Sequence, residues 1–412
     1  MKVTGLRTIR LPEQPQMLWL QVLTSEGITG LGETCLGPAT VEAHLHETVA
    51  PYLVGQDPTR IAAHRRQLYD VFVGYEGTSA ETRGNSAVDV ALWDIAGQAG
   101  GQPIANLLGG RTRDSIRIYN TCAGYQYGRG NNGALKASDR ATASDRGFPA
   151  GTPPGPYEDL LAAVERPGEL AQDLLEHGIR GMKIWPFDPY AAASGGHDIS
   201  PEDLRAGVRA LELIRSAVGD AMDIHLEMHA VWRLPAAIRI AKAVEPLAPY
   251  WFEDAVKAHD LAAAAQFAGA THVPAAMGET LAGRSTFRRL MESGAARIIM
   301  FDIGWVGGLS EASAIAALAE SYDLPIAPHD CTGPVVLTAS THLATSAPNA
   351  LVQETVRAYY TGWYADVVTA LPAIEGGQIA PPAGPGLGTS LRPELLHRQD
   401  VSIRTTTAAD LG

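Results

Sequence analysis

The sequence has 412 residues, 46% of them hydrophobic and 19% charged, an ordinary globular composition that excludes disorder for most of the chain and allows two or three domains. Lys and Arg number 32 against 45 Asp and Glu, a net charge of −13, which repels phosphate backbones and excludes nucleic acid as an expected partner. No window approaches the roughly 18 uninterrupted apolar residues of a membrane span. The start, MKVTGLRTIRLPEQP, has no apolar signal region, and Cys35, Cys122 and Cys331 form no C-x-x-C pair; both features lead to the expectation of a cytoplasmic protein without membrane contact.

Residues 1 to about 35 read as a small antiparallel sheet. The run 17–23 is strand-like, Ser25-Glu26-Gly27 is turn chemistry, and 28–31 returns. The glycines Gly27, Gly30 and Gly32 are no dinucleotide fingerprint, because no helix opens after them. Residues 85–98 place Val88, Leu92 and Ile95 on one helical stripe that Gly100-Gly101 ends. Beyond about residue 115, eight short apolar strands alternate with helices, at 115–121, 181–185, 223–228, 250–255, 273–279, 297–302, 325–329 and 350–354. The helix after the second strand has Ser200 as N-cap, Pro201 at the first position, Asp203 to complete a capping box, a stripe of Leu204, Val208, Leu211 and Val218, and Gly219 as stop. Alternation of this kind predicts an α/β protein with a parallel sheet, and eight units over about 250 residues predict a closed barrel. Residues 126–157, rich in Gly, Ala, Ser and Pro, break the rhythm on the face where barrel enzymes work, as either a lid or a plain insertion. The Pro- and Gly-rich segment after Leu371 is expected to pack back on the N-terminal domain.

The chemistry lies at the C-terminal ends of the strands. Glu227, Glu253 and Glu279 end successive strands at steps of 26 residues, and Asp302, His329 and Glu354 continue the series. In a parallel barrel these six ends meet at one mouth. Three converging carboxylates repel one another, and a dication removes that cost. Oxygen-only ligands select a hard ion, so Mg²⁺ is expected, with Mn²⁺ as the alternative. In the strand 223–229 every odd residue is polar and every even one apolar, so Ile224, Leu226 and Met228 face the outer helices, and Asp223, His225, Glu227 and His229 face inward. Asp223 and His225 lie deep and read as a polar network at the barrel bottom. His229 lies past Glu227 at the mouth and reads as chemistry. Asp302 beside His329 makes either a structural hydrogen bond or a general base, and next to a metal site the base is favoured. Lys183 and Trp185 share the inward face of the second strand. A lysine there needs a carboxylate, of the protein or of a ligand; Lys183 reads as a contact to a substrate carboxylate, and Trp185 lines the substrate or fills space.

Several segments together resemble the mandelate racemase-type branch of the enolase superfamily. They are Asn85 to Ile95 with Pro103-Ile104 and Leu107-Leu108-Gly109-Gly110, then Asp302-Ile-Gly-Trp-Val-Gly307-Gly308-Leu-Ser-Glu311, then Ile326-Ala-Pro-His329, and the tail Gly384-Pro-Gly-Leu-Gly388. The resemblance implies a modified (β/α)7β-type TIM barrel with an α+β capping domain: residues 1–114 as cap, 115–365 as barrel, and 366–412 returning to the cap. It implies Glu227, Glu253 and Glu279 as Mg²⁺ ligands, Asp302 and His329 as the base dyad, and Glu354 as a neutral acid that hydrogen-bonds the substrate carboxylate, with Lys183 nearby. It also implies a small-molecule carboxylate substrate and a symmetric homo-oligomer. Where branch members often carry Lys-x-Lys, this chain has Lys183-Ile-Trp185, and where Asp is common as first ligand it has Glu227. Glu227-Met-His229 is instead similar to the Asp-x-His of galactonate and mannonate dehydratases. The expected activity is therefore dehydration of an aldonate or aldarate to a 2-keto-3-deoxy acid, with His329 taking the C2 proton and His229 protonating the leaving hydroxyl. A racemase, epimerase or cycloisomerase, and a silent binding protein, are the alternatives. Residues 14–17, Tyr75 and the 126–157 segment are where specificity is expected.

Overall fold

The computed structural model describes residues 1–70, 79–125, 127 and 157–412; Tyr75 and nearly all of the 126–157 segment lie outside them, so neither expectation about those residues is addressed. Two sheets organise the chain. The first is antiparallel and contains β1 (Val3–Arg10), β2 (Met17–Thr24) and β3 (Thr29–Cys35). Its fourth strand, absent from the sequence reading, is β13 (Ser402–Thr407), and the spatial order is β13-β1-β2-β3.

The helix Ala80–Gly100 packs on β3. Its apolar stripe was legible from residue 85, yet it begins at 80. The reason is Ser79, whose hydroxyl accepts the Thr82 N–H and caps a polar first turn. Gly101, at φ 63°, ends it. Gly30 and Gly32 permit the contact: a Cβ on either would lie 2.1 Å from the Ala91 carbonyl oxygen or 1.9 Å from that of Ala87.

The second sheet is the barrel. Parallel strands β4 (Ile116–Thr121), β5 (Gly181–Ile184), β6 (Asp223–Glu227), β7 (Trp251–Glu253), β8 (Ala275–Met277) and β9 (Ile298–Ile299) follow one another in space. The seventh predicted strand is reduced to a bridge at Ile326, although Ala327 and His329 still donate to the Ile299 and Phe301 carbonyls. The eighth runs from a bridge at Ala350 to β10 (Gln353–Thr355), which pairs parallel with β4 and closes the ring. This is a capped TIM barrel, as the sequence led one to expect. The tail divides: the hairpin β11 (Ala373–Glu375) and β12 (Gln378–Ala380) pairs with β4 of the barrel, and only β13 joins the cap sheet.

The alternation read in β6 holds. Ile224, Leu226 and Met228 are fully buried against the outer helices. Inside the ring, Tyr119, Trp251, Ala276, Ile298, Met300, Ala327 and Val352 form a separate apolar floor. Ser200 does cap the helix Pro201–Val218, but Asp203 accepts from the Ser200 hydroxyl rather than from its backbone, so the expected box is half made. Among the described residues no helix is long and apolar enough to cross a membrane.

Candidate active site

Glu227 ends β6, Glu253 ends β7, and Glu279 lies just past β8. The even βα spacing brings one carboxylate oxygen of each to within 4.8 Å of the others. Glu227 and Glu253 are buried at 1% and 0% exposure. Burial and the Glu227 charge push the Glu253 carboxyl well above the usual range, the signature of like charges crowded out of water. The donors are all oxygen, which suits a hard dication such as Mg²⁺. The residues present therefore fit the ion.

His329 sits at one end of this cluster. Its Nδ1 lies 2.8 Å from Asp302 Oδ2 and its Nε2 lies 3.1 Å from Glu279 Oε2. Asp302 is fixed in turn by the Gly304 N–H at 2.7 Å. Burial opposes charge on the ring, but Glu279, Glu354 and Asp302 outweigh it and raise its proton affinity well above the ordinary value.

His229 sits at the other end. Its Nδ1 lies 2.5 Å from Asp188 Oδ2, and the Trp185 ring meets it edge-on at 5.4 Å. Its backbone is left-handed, φ 44°, as is that of Ala230 at 53°. The turn is held by Glu227 Oε1, which accepts the N–H groups of Met228 and His229 at 3.0 and 2.7 Å. Strain of this kind costs on the order of 1–3 kcal/mol per residue and concentrates at working sites.

Lys183 lies below the glutamates. Its ammonium pairs with protein carboxylates, 2.7 Å from Glu253 and from Glu354 and 3.5 Å from Glu227; the expected contact to a substrate carboxylate stays a proposal. A buried ammonium takes the nearest carboxylates available, and three protein ones surround it. Glu354 is one of the partners of Lys183. Lys183, the Thr121 hydroxyl and the Asp330 N–H all donate to it. Against burial, Lys183 and His329 hold its carboxyl below the usual range. Trp185 stands between His229 and Tyr127, whose rings lie 5.4 and 5.5 Å away.

Asp223 and His225 lie where the deeper reading put them. Asp223 pairs with Arg117 at 2.9 Å, and His225 is stacked on Tyr119 at 4.4 Å. Burial, with help from Arg117 and Lys183, keeps His225 neutral.

A family model for the N-terminal domain of mandelate racemase / muconate lactonizing enzyme matches residues 8–109, and one described as enolase C-terminal domain-like matches 167–395. The chain belongs to this family. Among curated relatives of the mandelate racemase / muconate lactonizing family, a D-galactonate dehydratase of Ralstonia pickettii is 32% identical over 407 residues, covering 96% of this chain and 94% of that protein. A D-galactonate dehydratase of Pectobacterium atrosepticum is 32% identical over 404 residues, covering 96% and 94%. A solved enolase of the mandelate racemase subgroup from Agrobacterium tumefaciens, with a succinimide residue, is 45% identical with a TM-score of 0.86 and covers 100% of both chains. A member of the enolase superfamily from Salmonella Typhimurium is 25% identical with a TM-score of 0.84, covering 98% and 100%.

Two polar neighbours of this family's catalytic mouth escaped the sequence reading. Asp188 follows β5 as the first residue of the short helix Asp188–Ala191, with no periodic mark; its position just past a strand end, between Pro186 and Pro189, was the available signal. Asp330 follows His329 directly, and its buried Oδ2 has no partner among the described residues.

Proposed function

We propose that the protein is a divalent-cation-dependent dehydratase of a sugar acid, converting an aldonate or aldarate to a 2-keto-3-deoxy acid. One observation carries this reading: two histidines, each backed by a carboxylate at Nδ1, bracket the three glutamates. Elimination of water needs a base at C2 and an acid at C3, and the bracketing supplies one at each end. The relatives named as galactonate dehydratases make galactonate the first acid to try.

Glu227, Glu253 and Glu279 would hold Mg²⁺, with Mn²⁺ as a substitute, and the ion would supply positive charge to the substrate carboxylate. His329 Nε2 takes the C2 proton, and Asp302 stabilises the resulting imidazolium through Nδ1. Negative charge grows on the enediolate, and Lys183 provides a fixed positive charge beneath it. Glu354 holds that ammonium in place with the Thr121 hydroxyl and Asp330 N–H on its other bonds. His229 gives its Nε2 proton to the C3 hydroxyl, which leaves as water, and the enol tautomerises to the keto acid. Trp185 walls the side of the pocket next to His229.

The test is a panel of sugar acids with Mg²⁺, followed by 2-keto acid formation and by deuterium entry at C2. Turnover of at least one acid, lost about 10²- to 10⁴-fold in His329→Asn, supports the reading; unchanged activity in that variant defeats it. The same two histidines could instead pass a proton across C2. Exchange and inversion at C2 with no water lost would mark an epimerase or racemase. A symmetric homo-oligomer is proposed with the family, and light scattering in solution decides it.

A further inference from the structure

Asp188 belongs to no metal-binding group and to no part of the base dyad, yet it is 7% exposed and lies 2.5 Å from His229. The segment that carries it is pinned. Phe187 is fully buried, and its ring fills the space where Gly207 of the helix Pro201–Val218 has no side chain; a Cβ there would lie 2.2 Å from the ring. Pro186 and Pro189 restrict the backbone on either side. His229 is pinned separately, by its left-handed turn, by Glu227 Oε1, and by the Ala230 N–H bond to the Asp254 carbonyl at 2.6 Å. Two pinned segments that follow neighbouring strands thus deliver one carboxylate to one imidazole nitrogen.

The contact repeats the geometry at His329, where Asp302 Oδ2 meets Nδ1. In both pairs the carboxylate occupies Nδ1 and leaves Nε2 for the pocket. Among the described residues nothing bonds His229 Nε2, and the Glu279 carboxylate is one of the charges acting on the ring. A ring tied at one nitrogen presents a single donor in a single direction.

We propose that Asp188 is the positioning residue of His229: it keeps a proton on Nδ1 and holds the ring so that Nε2 faces the substrate. Its kinetic consequence rests on the dehydratase reading; its effect on the ring does not. Without Asp188 the imidazole can turn about its side-chain bonds, which lowers the fraction of sites whose Nε2 proton faces the leaving hydroxyl.

The experiment has two arms, both on the full chain with Mg²⁺ added. In the first, ¹⁵N-histidine spectra are taken from about pH 7 to about pH 10, so that the neutral ring is reached although the Glu227 and Asp188 carboxylates raise its proton affinity, with the His229 signals assigned by their loss in His229→Asn. In the unaltered protein Nδ1 should carry the proton. In Asp188→Ala that signal should move to the unprotonated range, and an unmoved spectrum overturns the proposal. In the second arm, Asp188→Asn, which conserves shape, should lower kcat for dehydration about a hundredfold with KM within about threefold. Deuterium should still enter C2 of recovered substrate within about threefold of the unaltered rate of proton abstraction. Adding Asp188→Asn to His229→Asn should change nothing beyond about twofold. If exchange and elimination fall together, or the two substitutions add, Asp188 is only structural and the proposal fails. If no sugar acid is turned over by the unaltered protein, the dehydratase reading fails and the spectra alone decide the role of Asp188.

Discussion

His342 is buried with both ring nitrogens in use: Nδ1 accepts the Ala105 N–H at 3.3 Å, and Nε2 donates to the Leu387 carbonyl at 3.1 Å. A second proton would set an N–H against an N–H. Burial, reinforced by Arg111 and only partly opposed by the Leu387 carbonyl, lowers its pKa to about 4. The unfolded ring titrates near 6.5, so between those values the unfolded chain binds the extra proton and the folded one does not. Stability from this residue is complete above about pH 6.5 and is lost as pH falls towards 4, by about 3 kcal/mol. Asp89 and Asp94 tilt the total the other way, because burial raises their pKa values to about 7 and 6. The prediction is therefore differential: chemical denaturation of the protein and of His342→Gln across pH 4 to 7 should show the substituted chain losing less stability on acidification. At this scale the sequence was most legible where residues repeat with the strands. Glu227, Glu253, Glu279, Asp302 and His329 all stand where the period placed them. What it could not show was pairing: that Lys183 would be shared among three protein carboxylates.

Among the elements, the contact of β3 with the helix Ala80–Gly100 depends on having no side chain at residues 30 and 32. Ala87 and Ala91 lie one helical turn apart and meet alternate residues of the strand, so the two periods coincide only if both strand positions are glycine. Gly30→Ala should force the helix off the sheet at a cost of about 1–3 kcal/mol, read as a lower denaturation midpoint. An unchanged midpoint would show that the helix can slide. The sequence displayed these glycines plainly but not their use, because the helix they receive begins some fifty residues later. The barrel strands were found by their apolar runs, while their lengths were overstated: β7, β8 and β9 carry three, three and two ladder residues. Apolar runs continue past the last ladder bond because the interior floor and the outer helices bury the flanking residues too.

For the molecule as a whole, cap and barrel are clasped at Glu311. It is 2% exposed and meets Arg65 of the cap at 2.6 Å and Arg284 of the barrel at 2.8 Å, and it accepts the Arg284 N–H at 2.5 Å. Removing its charge leaves two guanidinium groups facing each other. Because both arginines reach water, Glu311→Gln is expected to cost about 2 kcal/mol, less than the roughly 3–5 of a fully buried pair. Calorimetry should show a lower midpoint, broadened if the two bodies begin to melt apart. A sharp transition at the original midpoint would show that the clasp carries no weight. The barrel was legible from the strand–helix alternation that sets in near residue 115. The tail's division was not, because SIRTTT has little apolar pattern and only the vacant side of β1 gives it a place.

That vacant side has a consequence for biosynthesis. β1 leaves the ribosome almost four hundred residues ahead of its neighbour β13. At about 5–20 residues per second, the newborn sheet waits tens of seconds with a row of unpaired amides and carbonyls bare. During that interval the chain is most prone to join a stranger's strand, and a chaperone that shields nascent strand edges would raise the yield of this protein more than one acting on the finished chain.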